Sequence, residues 1–226
     1  MKNVMLIVSL IIAGGTQFSC QAAAEKASEE NTKEKAPNIS QDEIKKDGLK
    51  TAYFASGCFW CVEAVFQSVK GVKDAVSGYS GGIEENPTYK QVSAGNSSHA
   101  EAVKVIYDPA QVDFETLVKV FFGSHDPTTP NRQGPDRGPQ YRSIAFYGNV
   151  KEKKIIEDYI DQLEENKNFS APIVTELTAF DKFWEAEEYH QEYESKHPEN
   201  PYVKSVSIPR LERFTAKFPK LLKENH

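Results

Sequence analysis

A strand that runs straight into a helix at residues 53–66 constrains the fold of this chain more than any other stretch. Tyr53-Phe54-Ala55 is a short apolar run with strand character, Ser56-Gly57 interrupts it, and Val62, Val65, Phe66 and Val69 then recur at helical spacing. Cys58 therefore opens a helix, within Gly57-Cys58-Phe59-Trp60-Cys61. A thiol at a helix N-terminus faces unpaired backbone N–H groups and the positive end of the dipole. Both favour the thiolate, the form that attacks electrophiles. Cys61 follows three residues later, so a helix stacks both sulfurs on one face at a separation a disulfide tolerates. Redox chemistry is the reading this suggests; two small core residues or a structural disulfide are the alternatives. Zinc fits less well, because two sulfurs need two further ligands and the chain has no second CxxC and no HxxxH.

The segments that follow alternate in character. Gly71 should stop the first helix, and 72–80 reads as a strand leading into Gly81-Gly82. Residues 84–95 are loop-like. Along 99–108, Ala102, Lys104 and Ile106 alternate against Val103, Val105 and Tyr107, a strand that ends at Pro109. Asp113 caps a helix with Phe114, Leu117, Val118, Phe121 and Phe122 on its apolar side. A proline-rich loop over 124–140 is long enough to suggest function. A strand over 142–147 and a charged helix over 150–165, capped by Asn149, complete the order strand, helix, strand, strand, helix, strand. That order is the split βαβ pattern of a ferredoxin-like core, so the expected class is α+β, an α/β two-layer sandwich. Residues 172–177 should add a strand. Residues 179–201, rich in aromatics and histidine, should wrap the domain with a short helix around 185–196. A basic amphipathic helix over 209–223 carries Leu211, Phe214, Phe218 and Leu221 on one side, and docking on its own domain is the expectation.

The start of the chain is different. Lys2 and the apolar run 4–13 have the layout of a secretory signal, too short to span a bilayer. Ser19-Cys20 ends it with a small residue before a cysteine, which resembles a bacterial lipobox and makes Cys20 the expected lipidation site. Cleavage near 22–24 without lipid is the alternative. Either way the expected location is extracytoplasmic, the periplasm or cell envelope, where thiols tend to be oxidised. Residues 21–48 are rich in charge and lack aromatics, with Ile39 and Ile44 their only large aliphatics, so a disordered tether is expected. The domain layout is thus a signal over 1–20, a tether over 21–48, a folded domain over 49–206 and a helical extension over 207–226. A net charge of −6 without a basic block argues against nucleic acid as a partner.

Three later stretches join Gly57-Cys58-Phe59-Trp60: Asn86-Pro87-Thr88-Tyr89, His99-Ala100-Glu101-Ala102-Val103, and the run from His125-Asp126-Pro127 through Gly134-Pro135-Asp136 to Gln140-Tyr141-Arg142-Ser143. Together they resemble the A-type peptide methionine sulfoxide reductases, over about 51–202. The resemblance implies stereospecific reduction of methionine S-sulfoxide, free or in proteins, with no bound cofactor or metal and a thioredoxin-like dithiol as electron donor. It implies Cys58 as nucleophile, Glu101 as an acid that burial must keep protonated, and Tyr89 and Tyr141 as phenols holding the sulfoxide oxygen. Phe59 and Trp60 match the wall that receives the substrate methyl, and Asp136 matches a position on the substrate side of the pocket. Many relatives have glycine at the position of Cys61 and a recycling cysteine after Asn-Pro-Tyr, where this chain has Val203. Cys61 is therefore expected to resolve a Cys58 sulfenic acid. His99 and His125 are expected to satisfy local hydrogen bonds, and His190 and His197 to have no metal role. A thioredoxin-like dithiol–disulfide oxidoreductase is the rival reading, since CxxC at a helix start serves that chemistry too.

Overall fold

The computed structural model describes residues 48–224. The expected signal, Cys20 and all of the tether but Gly48 lie outside the described residues. β1 (Lys50–Ser56) leads into α1 (Phe59–Gln67), followed by β2 (Val72–Ser80), α2 (Tyr89–Ser93), β3 (Ala100–Tyr107) and α3 (Phe114–Gly123). A small hairpin, β4 (Arg132–Gln133) and β5 (Asp136–Arg137), and a 3-10 turn at Pro139–Tyr141 precede β6 (Ser143–Tyr147) and α4 (Val150–Glu165). The remainder comprises β7 (Glu176–Ala179), β8 (Phe183–Glu185), a 3-10 turn at Glu188–His190, α5 (Tyr193–Lys196) and a π-helical turn at Val203–Ser207 that runs into α6 (Ile208–Lys217).

The main sheet has the order β7-β6-β1-β3-β2-β8. β1 pairs antiparallel with β3 and β6, and β2 with β3 and β8, while β7 adds parallel to β6. The inner order β6-β1-β3-β2 is that of a ferredoxin-like sandwich, and the α+β class is as expected.

Strand parity distributes side chains between two faces. Phe54, Val103 and Val105 join the larger core with Val62, Val65 and Phe66 of α1 and with Leu117 and Phe121 of α3. Phe54 has no exposure and stacks on Phe66 and Phe121, each at 5.1 Å. Burying such a ring contributes about 1.5–3 kcal/mol. The opposite face, with Tyr53, Ala55, Ala100, Ala102, Ile144 and Phe146, is covered by Phe180 and Phe183, Phe180 stacking on Tyr53 at 3.7 Å.

Three expectations need correction. Residues 84–95 contain α2, whose start is fixed by Gln91 Oε1 accepting from the Thr88 N–H and hydroxyl. The strand expected over 172–177 begins only at Glu176, because the Val174 N–H donates to the Pro127 carbonyl at 2.8 Å, tying this stretch to the long loop. The helix expected around 185–196 is broken up. Gln191 uses its amide to mimic a strand partner, accepting from Ser77 N–H and donating to the Ser77 and Ala186 carbonyls. Glu192 then takes a left-handed conformation, φ 56°, and its N–H donates to the Glu63 carboxyl at 2.9 Å. The C-terminal helix docks on the domain through buried Phe214 and packs against α1.

Candidate functional site

Cys58 is the N-cap residue of α1, and it is buried, with only 7% of its surface exposed. The turn that delivers it depends on Gly57, which has φ +92°. A Cβ there would meet the Gln133 side chain at 2.6 Å. The long loop therefore closes directly over the strand-to-helix junction.

Glu101 arrives by parity. It precedes Val103 and Val105 by even steps on β3, so its side chain enters the helix-covered face at the end of the sheet where α1 starts. Only 2% of it is exposed, and its Oε2 accepts the Phe59 N–H at 3.0 Å. Burial pushes its pKa up to about 8, against the pull of the Phe59 bond, with the Asp136 and Cys61 charges adding to the rise. At neutral pH Glu101 is consequently a carboxylic acid with a proton to give.

The same contact revises the expectation for Cys58. Glu101 occupies the Phe59 N–H that was to stabilise a thiolate, and burial, first, and then the neighbouring Cys61 and Glu101 hold the Cys58 thiol well above its ordinary range. Cys61 shifts the other way, lowered to about 7 by its hydrogen bond with Cys58, against burial and with the help of Arg210, Ser207 and Tyr202. Both sulfurs are free thiols, and their surroundings hold the proton of Cys58 more tightly than that of Cys61.

Around this pair stand the phenols. Tyr89, the first residue of α2, is held by its N–H on the Glu187 carboxylate at 3.0 Å. Burial and the charges of Glu101 and Cys58 push it up to about 12. Tyr141, at the end of the 3-10 turn, is raised by burial and by Glu101, Asp136 and Cys58. Both remain hydrogen-bond donors at any physiological pH. Phe59 is fully buried against Tyr79 and His190, whereas Trp60 is half-buried, stacks on Tyr193 at 3.8 Å and donates its indole N–H to His190 Nδ1 at 3.1 Å. The two aromatics thus divide into a floor and a rim. Asp136 accepts the Tyr202 hydroxyl at 2.5 Å, and burial raises it.

The structure brings together Cys58, Cys61, Glu101, Tyr89, Tyr141, Phe59, Trp60 and Asp136, all the expected site residues it describes. It adds Tyr202, whose hydroxyl lies 4.0 Å from the Cys61 sulfur, and His190, which sits between Trp60, Phe59 and Tyr89. Tyr202 was visible in the sequence only as the neighbour of a missing cysteine, and His190 carried no signal at all. His99 and His125 have the local bonds expected: His125 uses the Phe121 carbonyl and the Ser143 hydroxyl, both at 2.7 Å, and burial depresses it to about 3. A cavity of about 260 Å³ beside α1 touches Trp60 and Tyr193 but neither sulfur, so the chemistry belongs to the Cys58 cluster rather than to that cavity. A thiol, a neutral carboxylic acid and two phenols gathered in one neighbourhood have the chemistry to reduce a polar S=O group: sulfur attacks while oxygen is protonated and held.

A family model described as peptide methionine sulfoxide reductase matches residues 50–222. A peptide methionine sulfoxide reductase of the A type from Synechocystis is 47% identical over 78% of this chain and 83% of its own length, and one from Sulfolobus acidocaldarius is 46% identical over 76% and 96%. Among solved structures, methionine sulfoxide reductase A of Corynebacterium diphtheriae superposes with a TM-score of 0.61 at 35% identity, covering 68% of this chain and 77% of its own. Reduced Mxr1 from Saccharomyces cerevisiae gives 0.63 at 32% identity, covering 69% and 90%.

Gly57→Ala should destabilise the fold by about 1–3 kcal/mol through backbone strain, plus the displacement of Gln133. Gly95→Ala, at φ +71° with nothing within 4 Å, isolates the conformational part alone. Urea unfolding of both checks this; equal losses would show that the contact with the long loop carries no weight.

Proposed function

The chain belongs to the A-type peptide methionine sulfoxide reductases, and we propose that it reduces methionine S-sulfoxide through a Cys58 sulfenic acid that Cys61 resolves. The observation that carries the reading is Glu101, buried, protonated near neutrality and anchored at the first N–H of the helix that Cys58 caps. Cys58 attacks the sulfoxide sulfur. The oxygen, held by Tyr89 and Tyr141, takes the Glu101 proton, and the Cys58 proton restores Glu101. The substrate S–O bond then breaks as the oxygen passes to the Cys58 sulfur, the transient bond between the two sulfurs opens, and methionine leaves with Cys58 as the sulfenic acid. Cys61 then displaces it as water and forms the Cys58–Cys61 disulfide, which an external thioredoxin-like dithiol reduces. Phe59 and Trp60 receive the methyl group, and Asp136, through Tyr202, shapes the substrate side. Disulfide exchange alone has no use for a buried acid beside the nucleophile, which weighs against the dithiol–disulfide oxidoreductase reading.

With dabsyl-methionine S-sulfoxide and dithiothreitol, Cys58→Ser should be inactive and Glu101→Gln slower by about 10²–10⁴-fold. The wild-type rate should fall as pH rises through about 8, where Glu101 loses the proton it must donate. Cys61→Ser should form one methionine per chain and store sulfenic acid, read by mass spectrometry. A Glu101→Gln enzyme with unchanged rate and pH profile would sink the assignment.

We also propose that Cys20 is lipidated and holds the enzyme outside the cytoplasm, on the strength of the apolar run and the Ser19-Cys20 junction. Cys20→Ala should release the protein from the membrane fraction; retention there would contradict the anchor.

A further inference from the structure

The Cys61 sulfur has a phenol beside it, and that phenol has a carboxylate behind it. The Tyr202 hydroxyl lies 4.0 Å from the Cys61 sulfur and donates to Asp136 Oδ2 at 2.5 Å. A phenol has one proton, and this one points at Asp136, so the Tyr202 oxygen meets Cys61 as an acceptor of its S–H. Three separate segments build the line. Cys61 lies on α1, and Asp136 lies on the β4-β5 hairpin, where it pairs with Gln133. Tyr202 is fixed by its own N–H, which donates to the Asn200 side-chain oxygen at 2.8 Å, and by an edge contact with Trp60. Burial and the charges of Cys58 and Cys61 hold Tyr202 far above the ordinary phenol range, so it gives up a proton only while it receives another. Burial also raises Asp136, which suits a group that must take a proton. Asp136 is half-buried between the exposed Pro135 and Arg137, so the far end of the line reaches solvent.

Resolving a sulfenic acid needs such a path. Cys61 must lose a proton to attack, while the departing hydroxide must gain one. Glu101, protonated near neutrality, can supply the second proton and for that reason cannot take the first. Cys61 therefore needs a different base, and the contact its sulfur makes leads to Asp136. We infer that Tyr202 and Asp136 form a proton relay for Cys61, Tyr202 taking its proton and Asp136 standing behind as the acceptor. This rests on the reading of Cys61 as the resolving thiol. The Cys61 proton passes to the Tyr202 oxygen as the Tyr202 proton passes to the Asp136 carboxylate. The Cys61 sulfur attacks the Cys58 sulfur and the S–S bond forms. The S–O bond of the sulfenic acid breaks, and the departing hydroxide takes the Glu101 proton and leaves as water. Asp136 returns its proton to solvent, and Glu101 regains one. Cys61 is oxidised as the sulfenic sulfur is reduced, so no further oxidant or reductant enters. A buried cation stands close by: Arg210, 6% exposed, gives its donors to neutral groups, the Ser124 carbonyl at 2.8 Å, the Ser56 carbonyl at 2.9 Å and the Ser56 hydroxyl at 3.1 Å. A guanidinium so placed, at the turn before Cys58, favours an anion nearby.

The test is a single turnover at saturating methionine S-sulfoxide, quenched and read by mass spectrometry as the ratio of the disulfide-forming rate to the methionine-forming rate. Any loss in the first step divides out of that ratio. Tyr202→Phe keeps the ring, and Asp136→Asn keeps an acceptor for the phenol but cannot take its proton. Each should lower the ratio by about 100-fold at pH 7, the lower end of what positioned proton transfer contributes. The Tyr202→Phe, Asp136→Asn double variant should fall no further than either single. Asp136→Glu, which keeps the carboxylate, should stay within about tenfold of wild type. Formate should raise the ratio of Asp136→Ala and leave Tyr202→Phe unrepaired. A wild-type ratio in Tyr202→Phe would overturn the relay, and so would a wild-type ratio in Asp136→Asn, which would make the bond at Asp136 a structural one. Additive losses that neither glutamate nor formate repairs, the signature of damaged packing, would overturn it too. If Cys61→Ser forms no lasting sulfenic acid and is recycled like wild type, the assignment of Cys61 itself fails, whatever Tyr202 and Asp136 do.

Discussion

The hydrogen bond from the Phe59 N–H to the Glu101 carboxyl ties the fold to the chemistry. It joins β3 to the first turn of α1, and it lies where the helix N-terminus would otherwise hold the charge of Cys58. Two effects compete at Glu101. The backbone donor favours the carboxylate, while loss of water and the nearby Asp136 and Cys61 charges favour the acid, and the acid wins. A carboxyl exposed on the same strand would ionise at ordinary acidic pH and have no proton left at neutrality. The position of Glu101 on the inward face of β3, with α1 laid over it, is therefore what makes general acid chemistry available.

The two sulfurs differ for reasons of neighbourhood. Cys58 faces Glu101 and lies under the long loop, in surroundings that keep it protonated until a substrate takes up the charge. Cys61 faces α6, with Arg210, Ser207 and Tyr202 around it. The C-terminal wrap thus controls the second thiol as the sheet controls the first. His190, Tyr193 and Tyr202 from that wrap also fix the orientation of Trp60, by a hydrogen bond, a face-to-face stack and an edge contact. Ordering so many aromatic groups at once leaves a binding wall with little freedom to lose when a methyl group arrives.

Much of this was legible from residue patterns because it is local. The start of α1 at Cys58 follows from Gly57 and the spacing of Val62, Val65 and Phe66. The order of strands and helices gives the sandwich, whereas strand position alone favoured an exposed Glu101, and only the motif match pointed to a buried acid. What escaped depends on contacts across the chain. The ionisation of Cys58 was misjudged because the competing acceptor for the helix N-terminus lies 42 residues away. The helix read over 185–196 is broken up in the fold, since Gln191 pairs with Ser77 across 114 residues and the Glu63 carboxyl accepts the Glu192 N–H at the turn. Arg210 looked like one more charge on a basic amphipathic helix; only docking reveals that it is buried against Ser56 and Ser124.

The central claim is that Glu101 is a neutral acid in the resting enzyme. Infrared difference spectra of wild type against Glu101→Gln, recorded as pH is raised from 5 to 10, test it without reference to turnover. The account predicts a protonated carboxyl C=O stretch at pH 7 that gives way to carboxylate bands with a midpoint near 8. Carboxylate bands for Glu101 already complete at pH 6 would contradict it.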